Sequence, residues 1–109
     1  MAETLKILGQ SNPSATTLTD AYTVPGATTA VISTIQICNR SATATSFRLA
    51  FAPNGAANDN SHYIAYDVPI LGNDYVAFTA GYTLDAADVV RVYATLATLT
   101  FSIFGSEIT

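Results

Sequence analysis

His62 is the single histidine of this 109-residue chain; it directly follows Ser61 and stands three positions after Asp59. Serine, histidine and aspartate are the residue types of acyl transfer, with a hydroxyl nucleophile, an imidazole base and a carboxylate to orient it. Triad members normally come from separate elements, because three neighbours in one turn do not converge on a substrate. One histidine supplies no HxH or HxxxH pair for zinc. His62 is therefore expected to be a hydrogen-bonded loop residue near Asp59, not a catalyst.

The carboxylates are Glu3, Asp20, Asp59, Asp67, Asp74, Asp85, Asp88 and Glu107. Asp85 and Asp88 are close enough in sequence to share a calcium ion, and Asp59 lies between Asn58 and Asn60. Calcium takes six to eight oxygens, and neither stretch has the Asp-x-Asp-x-Asp-Gly order of a calcium loop. Turn formation and solvation account for these residues. Sugar hydrolysis needs a carboxylate pair, but the chain has no tryptophan to carry a sugar ring. Gly-rich phosphate loops are absent. Asn39-Arg40-Ser41 matches the glycosylation pattern, read here as accidental. Cys38 is the only cysteine; it forms no intrachain disulfide and is expected to pack as a small buried apolar residue. The expectation is no enzyme, no metal and no cofactor.

Composition limits the partners. Lys6, Arg40, Arg48 and Arg91 are scattered, and the net charge is -4. Nucleic-acid binding needs a basic stripe, and an anionic membrane needs clustered cations, so neither partner is expected. No apolar run approaches the roughly 20 residues of a membrane helix. Met1-Ala2-Glu3-Thr4-Leu5-Lys6 has no basic segment leading into an apolar one, and synthesis and folding in a cytoplasm are expected. Charged residues make up 11% of the chain, against roughly 25% in ordinary soluble domains. Charge guards surfaces against association; a surface this poor in it suits a subunit that is covered in its working state, and equally an uncharged but soluble exterior of small neutral residues.

Period-two alternation dominates the sequence. Phe47, Leu49 and Phe51 alternate with Arg48, Ala50 and Ala52; Leu99, Phe101 and Ile103 alternate with Thr98, Thr100 and Ser102. Val90 and Val92 flank Arg91. Val31, Ser33, Ile35 and Ile37 form the expected core face of another strand, and Ile64, Tyr66 and Val68 that of a further one. Val76 with Phe78, Leu5 with Ile7, and Leu18, Tyr22 and Val24 on the face of Asp20 complete about eight strands. Asn12-Pro13, Pro25-Gly26, Pro53-Asn54-Gly55, Gly72-Asn73-Asp74 and Ala86-Ala87-Asp88 separate them, at the spacing of a sandwich or barrel. The best helical window, Leu84 to Asp88, is one turn at most. The reading is a single all-β domain over residues 1–109, an antiparallel two-layer β-sandwich of jelly-roll or immunoglobulin-like Greek-key type. Residues 1–10 form an extended arm or the first strand.

Tyr63, Tyr75 and Tyr93 fall opposite the expected core sets. An outward tyrosine gives large amphipathic area to an interface, or stabilises an exposed sheet face by cross-strand pairing.

Several stretches carry a family resemblance along nearly the whole chain. They are Leu5-Lys6-Ile7-Leu8-Gly9-Gln10, Tyr22-Thr23-Val24-Pro25, Val31-Ile32-Ser33-Thr34-Ile35 and Ile37-Cys38-Asn39-Arg40, with His62-Tyr63-Ile64, Gly72-Asn73-Asp74, Asp88 to Ala94 and Phe104 to Ile108. In these the chain resembles small virion structural proteins of tailed bacteriophages and prophages. The resemblance implies a β-sandwich accessory subunit without catalytic residues: a capsid decoration or cement protein, or a tail, baseplate or fibre component. It implies a virion location after synthesis in a bacterial cytoplasm. The implied partners are copies of itself, as dimer or trimer, and a major capsid protein or tail protein. Termini and long loops reach neighbours most easily, so contacts are expected from Ala2 to Gln10 and Pro53 to His62. The expected interface residues are Leu5, Lys6, Leu8, Asn54, Asn58, Asp59, His62, Tyr63, Tyr75 and Tyr93. A carbohydrate-binding sandwich is the rival of a different class.

Overall fold

The computed structural model describes residues 2–109. Eight strands run in order: β1 (Glu3–Ser11), β2 (Thr19–Thr23), β3 (Thr29–Asn39), β4 (Thr45–Ala52), β5 (Tyr63–Ile70), β6 (Tyr75–Leu84), β7 (Val89–Ala94) and β8 (Leu99–Ile108). They form two antiparallel four-stranded sheets, β1-β8-β3-β6 (sheet A) and β2-β7-β4-β5 (sheet B). Only β4 and β5 are consecutive neighbours; every other connection crosses between sheets. This order is the eight-stranded jelly roll, two interleaved Greek keys, and it removes the immunoglobulin-like alternative. Two single 3-10 turns, Pro53–Gly55 and Asn60–His62, lie in the loop between β4 and β5. Leu84 ends β6, and Asp85 to Asp88 form a turn, not a helix.

The core lies between the sheets. Phe47, Leu49, Val90 and Val92 of sheet B meet Ile32, Ile35, Ile37, Phe101 and Ile103 of sheet A, all fully buried. Where strands are regular, alternation gave the correct inward set, as in β4, β7 and the first part of β8. Bulges change the rest. An extra residue makes two consecutive side chains share one partner and shifts the face of everything beyond it.

Ser33 is the extra residue in β3, between Ile32 and Thr34. Ala30 and Ile32 point inward before it, and Ile35 and Ile37 after it. The expected inward Val31 and Ser33 therefore face out. In β2 the shift between Asp20 and Tyr22 turns Asp20 out while Tyr22 and Val24 are buried. In β1 the shift between Ile7 and Gly9 buries Leu8 and leaves Leu5 and Ile7 outside. β5 carries two shifts, and Ala65, not Tyr66, enters the core. Ile64 and Tyr66 are exposed.

The irregularities of sheet A form a line across it. Phe104 stands opposite the breaks in both β1 and β3, and β6 breaks at the same level between Thr79 and Tyr82. Gly105 lies on this line, where a Cβ would run into the Val31 carbonyl oxygen. At the β1 edge the sheets converge, and a Cβ on Gly9 would run into the carbonyl of Ala21.

Residues 2–10 are not a free arm. β1 is hydrogen-bonded along β8, and Ala2 and Thr109 exchange both backbone bonds at 3.0 and 2.8 Å.

Candidate functional site

The sandwich has two outer faces of opposite chemistry. On sheet A, register and burial place Leu5 and Ile7 of β1, Val31 of β3, and Phe104 and Ile108 of β8 on the outside of the terminal half. Leu5 is 79% exposed and Ile7 53%. The other half presents Gln10, Thr34, Gln36, Cys38, Ala77, Thr79, Thr100 and Ser102, with Tyr75 on the β6 edge. Glu3 is the one charged side chain among these outward positions of the four strands. A shallow open cleft lined by Gln10 to Asn12 and Thr100 to Ser102 interrupts the face. Its lining holds no ionisable group.

Lys6 is excluded from this face by alternation. It turns under the rim, where Nζ meets Glu107 Oε1 at 2.9 Å. The other Glu107 oxygen accepts from the Tyr22 hydroxyl at 2.6 Å. Burial, and then the carboxylate, push the Tyr22 phenol far above its usual range. The hydrogen bonds from Tyr22 and Lys6 hold Glu107 below the ordinary carboxylate value. A depressed carboxyl stabilises the fold above its unfolded pKa and loses that contribution as pH falls through its folded pKa. Glu107→Gln is thus expected to cost about 1–2 kcal/mol at pH 7. The gap from wild type should narrow as pH falls through the depressed folded pKa of Glu107, measured by urea unfolding at pH 7 and across an acid series. A gap that stays constant would show that the charge of Glu107 contributes nothing.

The outer face of sheet B carries two further ion pairs. Arg91 Nε donates to Asp20 at 2.9 Å, and Arg48 Nε to Asp67 at 2.7 Å. The Arg48 guanidinium lies between two tyrosine rings, 4.1 Å from the centroid of Tyr66 and 4.3 Å from that of Tyr93. Hydrogen bonding to Asp67 is the first cause that raises its already high pKa. Tyr63 packs edge-on to Tyr66 at 4.9 Å, and its hydroxyl accepts from Asn58. Asp67 has a left-handed backbone, φ 51°, which aspartate tolerates better than most residues.

The loop after β4 is fastened over sheet B. Asn54 N donates to Asp88 Oδ1 at 2.7 Å, and Arg91 Nη1 to the Ala56 carbonyl at 2.8 Å. Asp88 Oδ2 also accepts from Asp85 N, so these two aspartates build a turn. Asp59 accepts from both the amide and the hydroxyl of Ser61, which holds its carboxyl below the usual range. Ser61 Oγ thus points to Asp59 and not to the imidazole, and His62 Nδ1 is buried without a hydrogen-bond partner. His62 is hydrogen-bonded to Asp59 through its backbone, N to the Asp59 carbonyl at 3.0 Å, and the Asp59 carboxylate does not reach the imidazole. Among the described residues no group of three or more His, Cys, Asp or Glu is placed to hold a metal ion.

The ten residues proposed from sequence thus fall in different places. Leu5 and Tyr75 lie on the outer face of sheet A; Tyr63, Tyr93, Asn54, Asn58, Asp59 and His62 lie on the sheet B side. No flat partner surface touches both sets. Lys6 is tied to Glu107, and Leu8 is a core residue, withdrawn from any interface. Cys38 is exposed, contrary to the buried position expected for it, because it alternates with the inward Ile37. Sequence reasoning missed Ile7, Phe104 and Tyr66 as surface residues.

No family model, no curated protein and no solved structure matches this chain.

Proposed function

We propose that the protein is a non-enzymatic bacteriophage virion subunit, a decoration or cement protein that stabilises the head shell through repeated protein–protein contacts. The observation that carries this reading is the outer face of sheet A, broad, partly apolar and charged only at Glu3. Covering such a face removes at most one ion, Glu3, from water, so little desolvation opposes association. Moderate contacts multiplied over symmetric copies give stable attachment. The sequence resemblance to virion proteins supports the same role, and jelly rolls serve in capsid and lectin domains, though a fold alone fixes no function. The partners are copies of the chain itself and a major capsid protein; synthesis is in the bacterial cytoplasm and residence in the virion.

A charge on the neutral face tests this. Gln36→Glu changes an exposed side chain at the middle of sheet A and should reduce occupancy on purified particles by about ten-fold. Asn60→Glu, in the loop over sheet B, should leave occupancy unchanged. Equal occupancy for both variants would remove the sheet A contact. Electron-microscopy density at six-fold and three-fold shell positions is expected; density at a single vertex would instead favour a tail, baseplate or fibre-attachment subunit.

Tyr66 favours the carbohydrate-binding reading in one respect, since it is 56% exposed beside Tyr63, and an exposed aromatic residue can stack on a sugar. A glycan array on wild type and Tyr66→Ala separates this reading.

A further inference from the structure

A jelly roll leaves four strand edges open, and here three of them are blunted. β2 is five residues long and bulged. β5 has two register breaks and Pro69, and β6 is broken between Thr79 and Tyr82. Bulges, prolines, short length and inward-pointing charges are the usual protections of an edge. From Glu3 to Ile7, β1 has no bulge or proline, and its inward charge, Lys6, is neutralised by Glu107 at 2.9 Å.

The backbone of that segment has a definite polarity. Ala2 and Thr109 exchange both hydrogen bonds, so they are a hydrogen-bonded antiparallel pair. Alternation then directs the amides and carbonyls of Thr4 and Lys6 to β8, and those of Glu3, Leu5 and Ile7 to the open edge. The two residues with the most exposed aliphatic side chains of sheet A, Leu5 and Ile7, also hold the unpaired backbone groups.

We infer that the open edge of β1 pairs antiparallel with β1 of a second copy, centred on Leu5, to make a two-fold dimer with one continuous sheet. Continuing the sheet requires opposed residues to lie on the same face and to share hydrogen-bond parity. A centre at Lys6 would set Lys6 directly against Lys6 of the second copy, which like-charge repulsion disfavours. A centre at Ile7 runs Leu5 into the bulge at Gly9. The Leu5 centre pairs Leu5 with Leu5, Glu3 with Ile7 and Thr4 with Lys6, with no like charges opposed. A second copy is thus the occupant whose charges fit this edge. Five residues a side fall far short of the roughly 20–30 of a standard interface, so the dimer forms weakly in solution and is reinforced where copies are held close.

This deepens the proposed self-association but is tested on the purified full chain alone, so it can fail while shell binding stands, and the reverse. In a Cys38→Ser background, Leu5→Cys should form an intermolecular disulfide on mild oxidation about ten-fold faster than Ile7→Cys. A Leu5 pair brings Cα atoms to about 5.5 Å, within disulfide reach, whereas two Ile7 lie four positions apart in register. Leu5→Pro removes an edge amide that β8 does not use; it should abolish concentration-dependent dimerisation in sedimentation while retaining the melting temperature. Crosslinking of Ile7→Cys as fast as Leu5→Cys, a trimer, a monomer at every concentration, or Leu5→Pro dimerising like wild type would each overturn the inference.

Discussion

Phe47→Ala is expected to lower the unfolding free energy by about 3–5 kcal/mol, the range for emptying a buried aromatic site. Phe47 is fully buried on β4, with β5 and β7 on either side. Its ring meets Phe78 of sheet A at 6.0 Å and Phe101 at 6.2 Å, the latter edge to face. One side chain thus joins two strands of the opposite layer, in the middle of the apolar contacts between the sheets. A domain of this size has only about 5–15 kcal/mol in total, so the variant should be partly unfolded near 37 °C. Urea unfolding should show a lower midpoint with an unchanged slope. A loss below about 1 kcal/mol would mean that neighbouring side chains close the space, and that the layers do not depend on this ring.

Asn39→Ala should cost about 2–4 kcal/mol, through hydrogen bonds instead of volume. Asn39 ends β3 and is 2% exposed. Its side-chain amide donates to the carbonyls of Thr43 at 2.9 Å and Leu71 at 3.2 Å. Its Oδ1 accepts from Ser41 N and Thr98 Oγ1, both at 3.1 Å. One residue therefore fastens three loops at one end of the sandwich: β3–β4, β5–β6 and β7–β8. Alanine leaves partners at all four positions unmatched, and Asn39→Asp should be worse at neutral pH, because its carboxylate would face two carbonyl oxygens. Amide hydrogen exchange should quicken first in residues 40–44 and 71–74. Protection retained there in Asn39→Ala would rule out this role.

Asn39 shows how far the sequence could be read. Its position in an Asn-Arg-Ser triplet suggests only a modification pattern, since its bonds to Leu71 and Thr98, in loops far along the chain, leave no local signature. By contrast, Phe47, Leu49, Val90, Val92, Phe101 and Ile103 were legible, because a regular strand with one buried face must alternate. The errors at Val31, Ser33, Asp20, Leu8 and Tyr66 have one cause. A single inserted residue inverts the apparent face, and nothing in the local composition marks it. The partition of charge was hidden for a related reason. Composition reports few ions, but the pairing of Arg91 with Asp20 and Arg48 with Asp67 on one face depends on strand order, and alternation says nothing about which strands are neighbours. The candidate surface on sheet A became visible only once β1, β8, β3 and β6 were placed side by side.

The line of register breaks through Phe104 also has a mechanical consequence. On either side of it the ladders of β1 and β3 against β8 are out of step by one residue. A tug along β8 that brought one half into a new alignment would throw the other half out, like a key turned against its wards. Sheet A should therefore resist shear and give way by unzipping from an edge, so the domain under tension would fail at its rim before its strands could creep.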